Sequence, residues 1–319
     1  MISVIIPNYN KDKYIKNTLE SVQNQDFNDW ECIIIDDNSN DKSIKIIKEF
    51  IKNDSKFLFI SNEKNYGAGY CRNLGIKLSK GNFIIFLDAD DLISSNCLSN
   101  RIKQISKNIL LDFVVFPMGT FNKIVGDNNT IWNKFKGNHL KRFLSHDLPW
   151  AICSVIWKKE TLNHLRGFNE GFLRLQDVEL HSRALINSFS YTTHSNFKPD
   201  CFYRIDNSRI QNYLLHCLND IKGKINFINY FNDTKNNNLY RKSLRGTYFE
   251  CYCYTYNLYK IDKISRSDVL IVLSNIDNSS FTNIFNFSSN YIIRFYSYLK
   301  TKKIYFKGMD SIFKFLFMI

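Results

Sequence analysis

The stretch NFIIFLDADDLI, residues 82–93, sets the apolar run Phe83–Leu87 directly before three carboxylates, Asp88, Asp90 and Asp91. Like charges this close repel one another, so packing does not account for the cluster. A short continuous apolar run bounded by polar residues reads as a strand buried on both faces. Acids at its carboxyl end then fall where open α/β sheets bind their ligands.

The same arrangement recurs upstream. Ile2–Ile6 is an apolar run closed by Pro7 and followed by Asn8-Tyr9-Asn10; Trp30–Ile35 is followed by Asp36-Asp37-Asn38; Phe57–Ile60 reads as a third strand. Between these runs, apolar residues return at helical spacing: Ile15, Leu19 and Val22; Ile44, Ile47 and Ile51; Leu74 and Leu78; Leu98, Ile102 and Ile105. Gly81 is placed to stop the helix through Leu78 as a residue just past its end. Strands alternating with helices predict an α/β fold with a mainly parallel sheet covered on both faces. The three polar clusters are expected to converge on one crevice. After Asp112 the pattern loosens, and past Asn207 the composition shifts to Asn, Tyr, Phe and Lys at helical spacing. The chain therefore divides, in expectation, into an α/β domain at 1–209 and a helical region at 210–319.

Bulk properties narrow the classes. With 44% hydrophobic and 23% charged residues among 319, the chain is globular rather than disordered. The opening MISVIIPNYN has no basic region and its apolar run ends at Pro7, so no signal peptide is expected. No run approaches the length of a membrane span, and a cytoplasmic protein is expected. The eight cysteines form no CxxC pair and lie among apolar neighbours, which reads as reduced core thiols. A net charge of +13 favours anionic partners, although a composition rich in Lys, Asn and Ile yields the same excess without one.

Asp88 and Asp90 stand at i and i+2, so in extended chain both project to one side. Two carboxylates there suit Mg²⁺ or Mn²⁺, which keeps waters and binds substrate phosphates. Capping of a helix beginning near Ile93 or Ser95 would explain Asp90 or Asp91 alone. Asp37, after the second strand, can accept from the N3–H of uracil; capping the helix through Ser43 is the competing reading.

PNYNK at 7–11, DDNSND at 36–41, NYGAGYCRNLGIKLSKGNFIIFLDADD at 65–91 and QDVELHSRAL at 176–185, taken together and in order, resemble the inverting family 2 glycosyltransferases of GT-A fold. The resemblance covers about residues 1–205. It implies transfer of a hexosyl or N-acetylhexosaminyl group from a nucleotide-sugar to an acceptor hydroxyl, with inversion, in surface polysaccharide or glycolipid synthesis. By position, Pro7, Tyr9, Asp37 and Arg72 hold the base and nucleoside, Asp88 lies near ribose and metal, and Asp90 ligates the metal. Asp177 matches the catalytic base. Inversion needs one base on the face opposite the leaving group. An acid in the first turn of a helix, favoured by its dipole, is the plainer explanation of Asp177. The family often has Glu before this aspartate, where this chain has Gln176.

Further candidates follow. His181 and His194 stand where a diphosphate contact is conceivable, but a satisfied structural histidine is favoured. Arg204, in Tyr203-Arg204-Ile-Asp-Asn-Ser208, suits phosphate as a planar donor or a surface ion pair equally. Trp150 and Trp157 offer faces for an acceptor sugar, with core packing the safer reading of Trp157. The tail, 290–319, carries Arg294, Lys300, Lys302, Lys303, Lys307 and Lys314 against Asp310, with aromatic and aliphatic residues between. It suits either an anionic membrane surface, as a peripheral protein on the inner face of the plasma membrane, or packing on protein.

Three other readings compete. A haloacid-type phosphatase could use Asp88 as nucleophile and Asp90 as acid, but would leave Asp37, Arg72 and Asp177 without roles. A sugar nucleotidyltransferase would want a Gly-rich basic loop after the first strand, where this chain has PNYNKDKY. A non-catalytic sugar-nucleotide or nucleic-acid binding module is the third; a sugar-nucleotide module that had lost its activity would have lost an acid at 88, 90 or 177, and all three are kept. No nucleic-acid partner is expected.

Overall fold

The computed structural model describes residues 1–128, 130–132, 135–206, 212–232, 237–277, 287–302, 304 and 308–318. Two compact units emerge: Met1–Lys136 with Leu148–Asp206, and Gly137–Asp147 with Asn207–Ile319. The 209/210 boundary expected from composition falls within 207–211, outside the described residues.

The first unit runs β1 (Ile2–Asn8), α1 (Ile15–Gln23), β2 (Trp30–Asp36), α2 (Ser43–Ile51), β3 (Phe57–Ser61), α3 (Ala68–Leu78), β4 (Phe83–Phe86), β5 (Leu92–Ile93), α4 (Cys97–Ile105), β6 (Phe113–Val115) and β7 (Met118–Phe121). Helix α5 (His139–Leu144) belongs to the second unit. The first resumes with β8 (Val155–Lys158), α6 (Lys159–His164), α7 (Gln176–Ile186), β9 (Tyr191–Thr193) and β10 (Cys201–Arg204). Seven strands form one sheet in the order β3-β2-β1-β4-β8-β6-β9, and β5-β10-β7 form a second. Strands β3, β2, β1 and β4 are parallel, while β8 runs antiparallel to both β4 and β6.

Alternation along β1 builds both faces of this sheet. Ile2, Val4 and Ile6 pack with Ile15, Leu19 and Val22 of α1 and Ile47 of α2. Ser3 and Ile5 turn the other way, toward the α3 side, where Ile33, Ile35 and Cys71 form a second cluster. Gly75 of α3 lies so close to this strand that a Cβ there would stand 2.3 Å from Ile5 Cγ2. Gly81 does not stop α3 as expected. The helix ends at Leu78 with Ser79 extended, and Gly81 is instead pressed on β1, where a Cβ would stand 2.7 Å from the Ser3 nitrogen.

In the second unit α8 (Tyr213–Asn232), α9 (Asn237–Lys260), α10 (Arg266–Asp277), α11 (Phe287–Thr301) and α12 (Met309–Met318) follow α5. Helix α9 is central, touching α5, α8, α10, α11 and α12. Tyr296 and Phe313 of the tail are buried, Lys300 pairs with Asp310 at 2.6 Å, and Lys314 pairs with Glu250 of α9 at 2.8 Å. Two of the tail's basic residues are thus turned inward. Phe295, Tyr298, Ile312 and Leu316 remain exposed; Lys303 and Lys307 lie outside the described residues. Among the described residues no helix is long and apolar enough to cross a membrane.

Candidate active site

Parallel β1, β2 and β4 deliver their carboxyl ends to one edge, and the strand order reverses direction beside β1. This is the switch point at which a doubly wound sheet leaves a crevice. Two loops there hold each other. Asn8 Nδ2 donates to Asp36 Oδ1 at 2.6 Å, and Asp36 accepts from the nitrogen and hydroxyl of Ser39. Pro7 is buried in β1 and Tyr9 is exposed beyond it.

Asp37 is buried, and its carboxylate organises the approach to α3. It accepts from Asn62 Nδ2 and Tyr66 N, both at 2.9 Å, and from Gly67 N at 2.7 Å. It does not cap α2, whose Ser43 nitrogen donates to Asp41. A carboxylate offers about four lone-pair sites, so three donors leave room for one more.

The acidic loop follows β4. No helix starts near Ile93; Leu92–Ile93 pair antiparallel with Phe202 and Cys201, and α4 begins at Cys97 after Asn96. Neither Asp90 nor Asp91 is therefore a helix cap. Thr18 of α1 donates to the carbonyls of Ala89 and Asp91, and Asp91 Oδ1 accepts from the Arg204 nitrogen at 3.0 Å. Burial, then the charges of Asp90 and Asp88, hold the Asp91 carboxyl well above the usual carboxylate range. Three acids are thus close enough to feel one another.

Arg72 and Arg204 border that loop. Arg72 donates from Nη2 to Asp88 Oδ1 at 2.7 Å and from Nη1 to Gln176 Oε1 at 2.8 Å, over the ring of Phe168. It therefore joins the acidic loop to the first residue of α7. Arg204 Nε donates to the Asp90 carbonyl at 2.9 Å, with the guanidinium between Tyr14 and Phe121. Arg72 Nε and Arg204 Nη2 are buried donors without a hydrogen-bond partner among the described residues. Unsatisfied buried donors of this kind fit an anionic ligand. Asp177 stands in the first turn of α7, where burial raises its carboxyl's pKa and the Arg72 charge opposes that rise.

Four candidates leave the site. Trp150 and Trp157 are 1% and 0% exposed, packed with Phe113, and a sugar platform needs an open ring face. His181 is stacked on Trp157 and buried, which pushes its imidazole down to about 3 and keeps it neutral. His194 packs against Phe116 and Phe197. One residue not singled out from sequence enters: Lys11 Nζ pairs with Asp90 Oδ2 at 2.6 Å. It belongs to the PNYNK stretch, but a lysine two residues past a tyrosine carries no spacing signal toward an acid so far along the chain.

A family model described as Glycosyl transferase family 2 matches residues 3–162, half of the chain. The chain belongs to glycosyl transferase family 2. An uncharacterized glycosyltransferase of Methanocaldococcus jannaschii is 31% identical over 221 residues, covering 67% of this chain and 73% of the relative. The UDP-Glc:alpha-D-GlcNAc-diphosphoundecaprenol beta-1,3-glucosyltransferase of Escherichia coli is 35% identical over 135 residues, 42% of this chain and 50% of that one. Among solved structures, Staphylococcus aureus TarS 1–349 in complex with UDP superposes with a TM-score of 0.64 at 16% identity, over 99% of this chain and 90% of that one. The shared fold is GT-A, and this family 2 member is a glycosyltransferase.

Proposed function

We propose that the enzyme moves a hexosyl or N-acetylhexosaminyl group from a uridine diphosphate-sugar to a hydroxyl of a glycan or lipid-linked acceptor, with inversion, in surface polysaccharide synthesis. The observation that carries this reading is the Arg72 bridge, which holds Asp88 of the acidic loop and the start of the Asp177 helix together. Donor binding and proton removal are thereby kept within one crevice. The lipid-linked class of acceptor is taken from the name of the Escherichia coli relative.

In this reading Tyr9 and Pro7 flank the base, and the remaining lone pair of Asp37 accepts from uracil N3–H. Arg72 and Arg204 offer their spare donors to the diphosphate. Asp177 takes the proton of the acceptor hydroxyl as its oxygen bonds to the anomeric carbon. The bond from that carbon to the phosphate oxygen breaks on the opposite face, and the nucleoside diphosphate leaves with the electron pair. Asp88 and Asp90 have the oxygen donors that Mn²⁺ or Mg²⁺ prefers, and the cation would neutralise charge on the departing diphosphate. We place the enzyme in the cytoplasm, resting on the anionic inner face of the plasma membrane through α11 and α12.

The test is UDP binding followed by thermal shift. UDP at about 100 times its Kd raises stability by about 2.7 kcal/mol, and this gain is expected with Mn²⁺ and lost in chelator. Equal stabilisation in chelator would remove the metal role. A panel of nucleotide-sugars, scored for nucleotide release with and without Mn²⁺, identifies the donor.

A further inference from the structure

Both carboxylates assigned to the cation already have a partner of opposite charge in this chain, and the two partners differ. Arg72 is fixed on Asp88 by its second bond to Gln176 and by the Phe168 ring. Lys11 meets Asp90 alone, through a compact ammonium at the end of a flexible stem. Its backbone is firmly held: the nitrogen donates to Ser43 Oγ at 3.0 Å, and the carbonyl accepts from Tyr14 and Ile15, both at 2.9 Å. The stem is therefore anchored beside β1 while the charged end reaches across to the acidic loop.

The Asp90 side chain is 10% exposed and that of Lys11 26%, so the pair is largely withdrawn from water and is costly to break. A divalent cation binds the same carboxylate oxygens, so the two positive groups contend for one ligand.

We infer that Lys11 is a resident counter-cation of the acidic loop, pairing with Asp90 in the metal-free enzyme and raising the strength with which a divalent metal must bind to displace it. This rests on the reading that Asp88 and Asp90 hold the metal. Lys11 is then a positioning residue whose removal tightens metal binding, the reverse of what loss of a ligand does. With its stem anchored, the displaced ammonium stays near the loop.

The experiment is a Mn²⁺ titration of the full chain without nucleotide, reading free Mn²⁺ by electron paramagnetic resonance. Relative to the wild type, Lys11→Met is expected to bind Mn²⁺ at least about tenfold more tightly, since the metal no longer displaces a partly buried ion pair. Lys11→Arg, which keeps the charge, is expected to stay within about threefold of the wild type. Adding Asp90→Asn to Lys11→Met should abolish the gain. If Lys11→Met does not fold, Lys11→Gln serves in its place. Equal or weaker Mn²⁺ binding by Lys11→Met overturns the inference. Asp90→Asn alone separates the two ideas. Lost Mn²⁺ binding there, with no gain from Lys11→Met, rejects only the role of Lys11. Unchanged Mn²⁺ binding there rejects the metal reading as well.

Discussion

As the proposed base, Asp177 would serve function against stability. Burial favours its neutral form, and the Arg72 charge offsets this only in part. Its folded-state pKa is thus raised, so the group contributes stability below the unfolded value of about 4. That contribution is lost as pH rises through the folded value. At neutral pH the ionised carboxylate is a burden that the active enzyme carries. Asp177→Asn is therefore expected to raise the melting temperature at pH 7, with the advantage disappearing toward pH 4. Nucleotide binding should persist while transfer falls by about 100-fold or more, because the amide cannot accept a proton. The acid limb of the wild-type rate profile is expected above the ordinary aspartate range. Melting curves across pH, with a radiolabelled transfer assay, check both halves. Wild-type transfer by the variant would put the base elsewhere.

Among elements, α3 is the most constrained, since it carries Arg72 on a helix that Gly75 lets approach β1. In an exposed helix Gly→Ala gains about 1 kcal/mol. Here the new Cβ would lie 2.3 Å from Ile5 Cγ2, an atom on the branched stem of a buried residue that cannot swing aside. Overpacking of that kind costs about 1–3 kcal/mol, so overlap wins over propensity. Gly75→Ala is expected to lower the midpoint of urea unfolding and to weaken UDP binding, because α3 and Arg72 are displaced together. An unchanged midpoint would mean that β1 yields more easily than its burial implies. The same elements show what a single sequence discloses. Strands β1 to β4 and their helices were legible because each apolar run is local and its period is visible. The pairing of Leu92–Ile93 with Cys201–Phe202, and the insertion of β8 between β4 and β6, were not. Those contacts join residues distant in sequence, and three apolar residues in a row look alike in a strand, turn or helix. For the same reason Asp88 and Asp90 drew attention as residue types at a strand end, whereas Asp177 and Arg72 were named through the family resemblance. Lys11 beside Asp90, and the bridge that Arg72 makes from Asp88 to Gln176, needed coordinates.

For the whole molecule, the question is what the tail does beyond closing the helical unit. Its inner face is used there: Tyr296 and Phe313 are buried, and Lys314 bonds to Glu250 and to the Ser145 carbonyl. Deleting residues 290–319 would strip α9 of that cover and expose apolar core, so aggregation of the truncated chain is the expected result whether or not the tail meets a membrane. The outer face allows a cleaner test. Tyr298, Ile312 and Leu316 are exposed, as is Lys302 one helical turn past Tyr298, on a chain of net charge +13. Apolar side chains rimmed by basic ones suit a surface of anionic lipid, the former entering the interface and the latter meeting headgroups. Replacing Tyr298, Ile312 and Leu316 together by Ser leaves the packed inner face alone, and exposed sites of this kind change stability by about 0.5 kcal/mol or less each. Partial burial of the three native side chains is worth about 2 kcal/mol or more. The triple variant is therefore expected to bind phosphatidylserine-containing vesicles at least about tenfold more weakly, with its melting temperature and UDP binding nearly unchanged. Vesicles of phosphatidylcholine alone should bind neither protein well. Sedimentation of the triple variant with anionic vesicles at the wild-type level would show that this face does not dock, and would leave α11 and α12 as packing helices only.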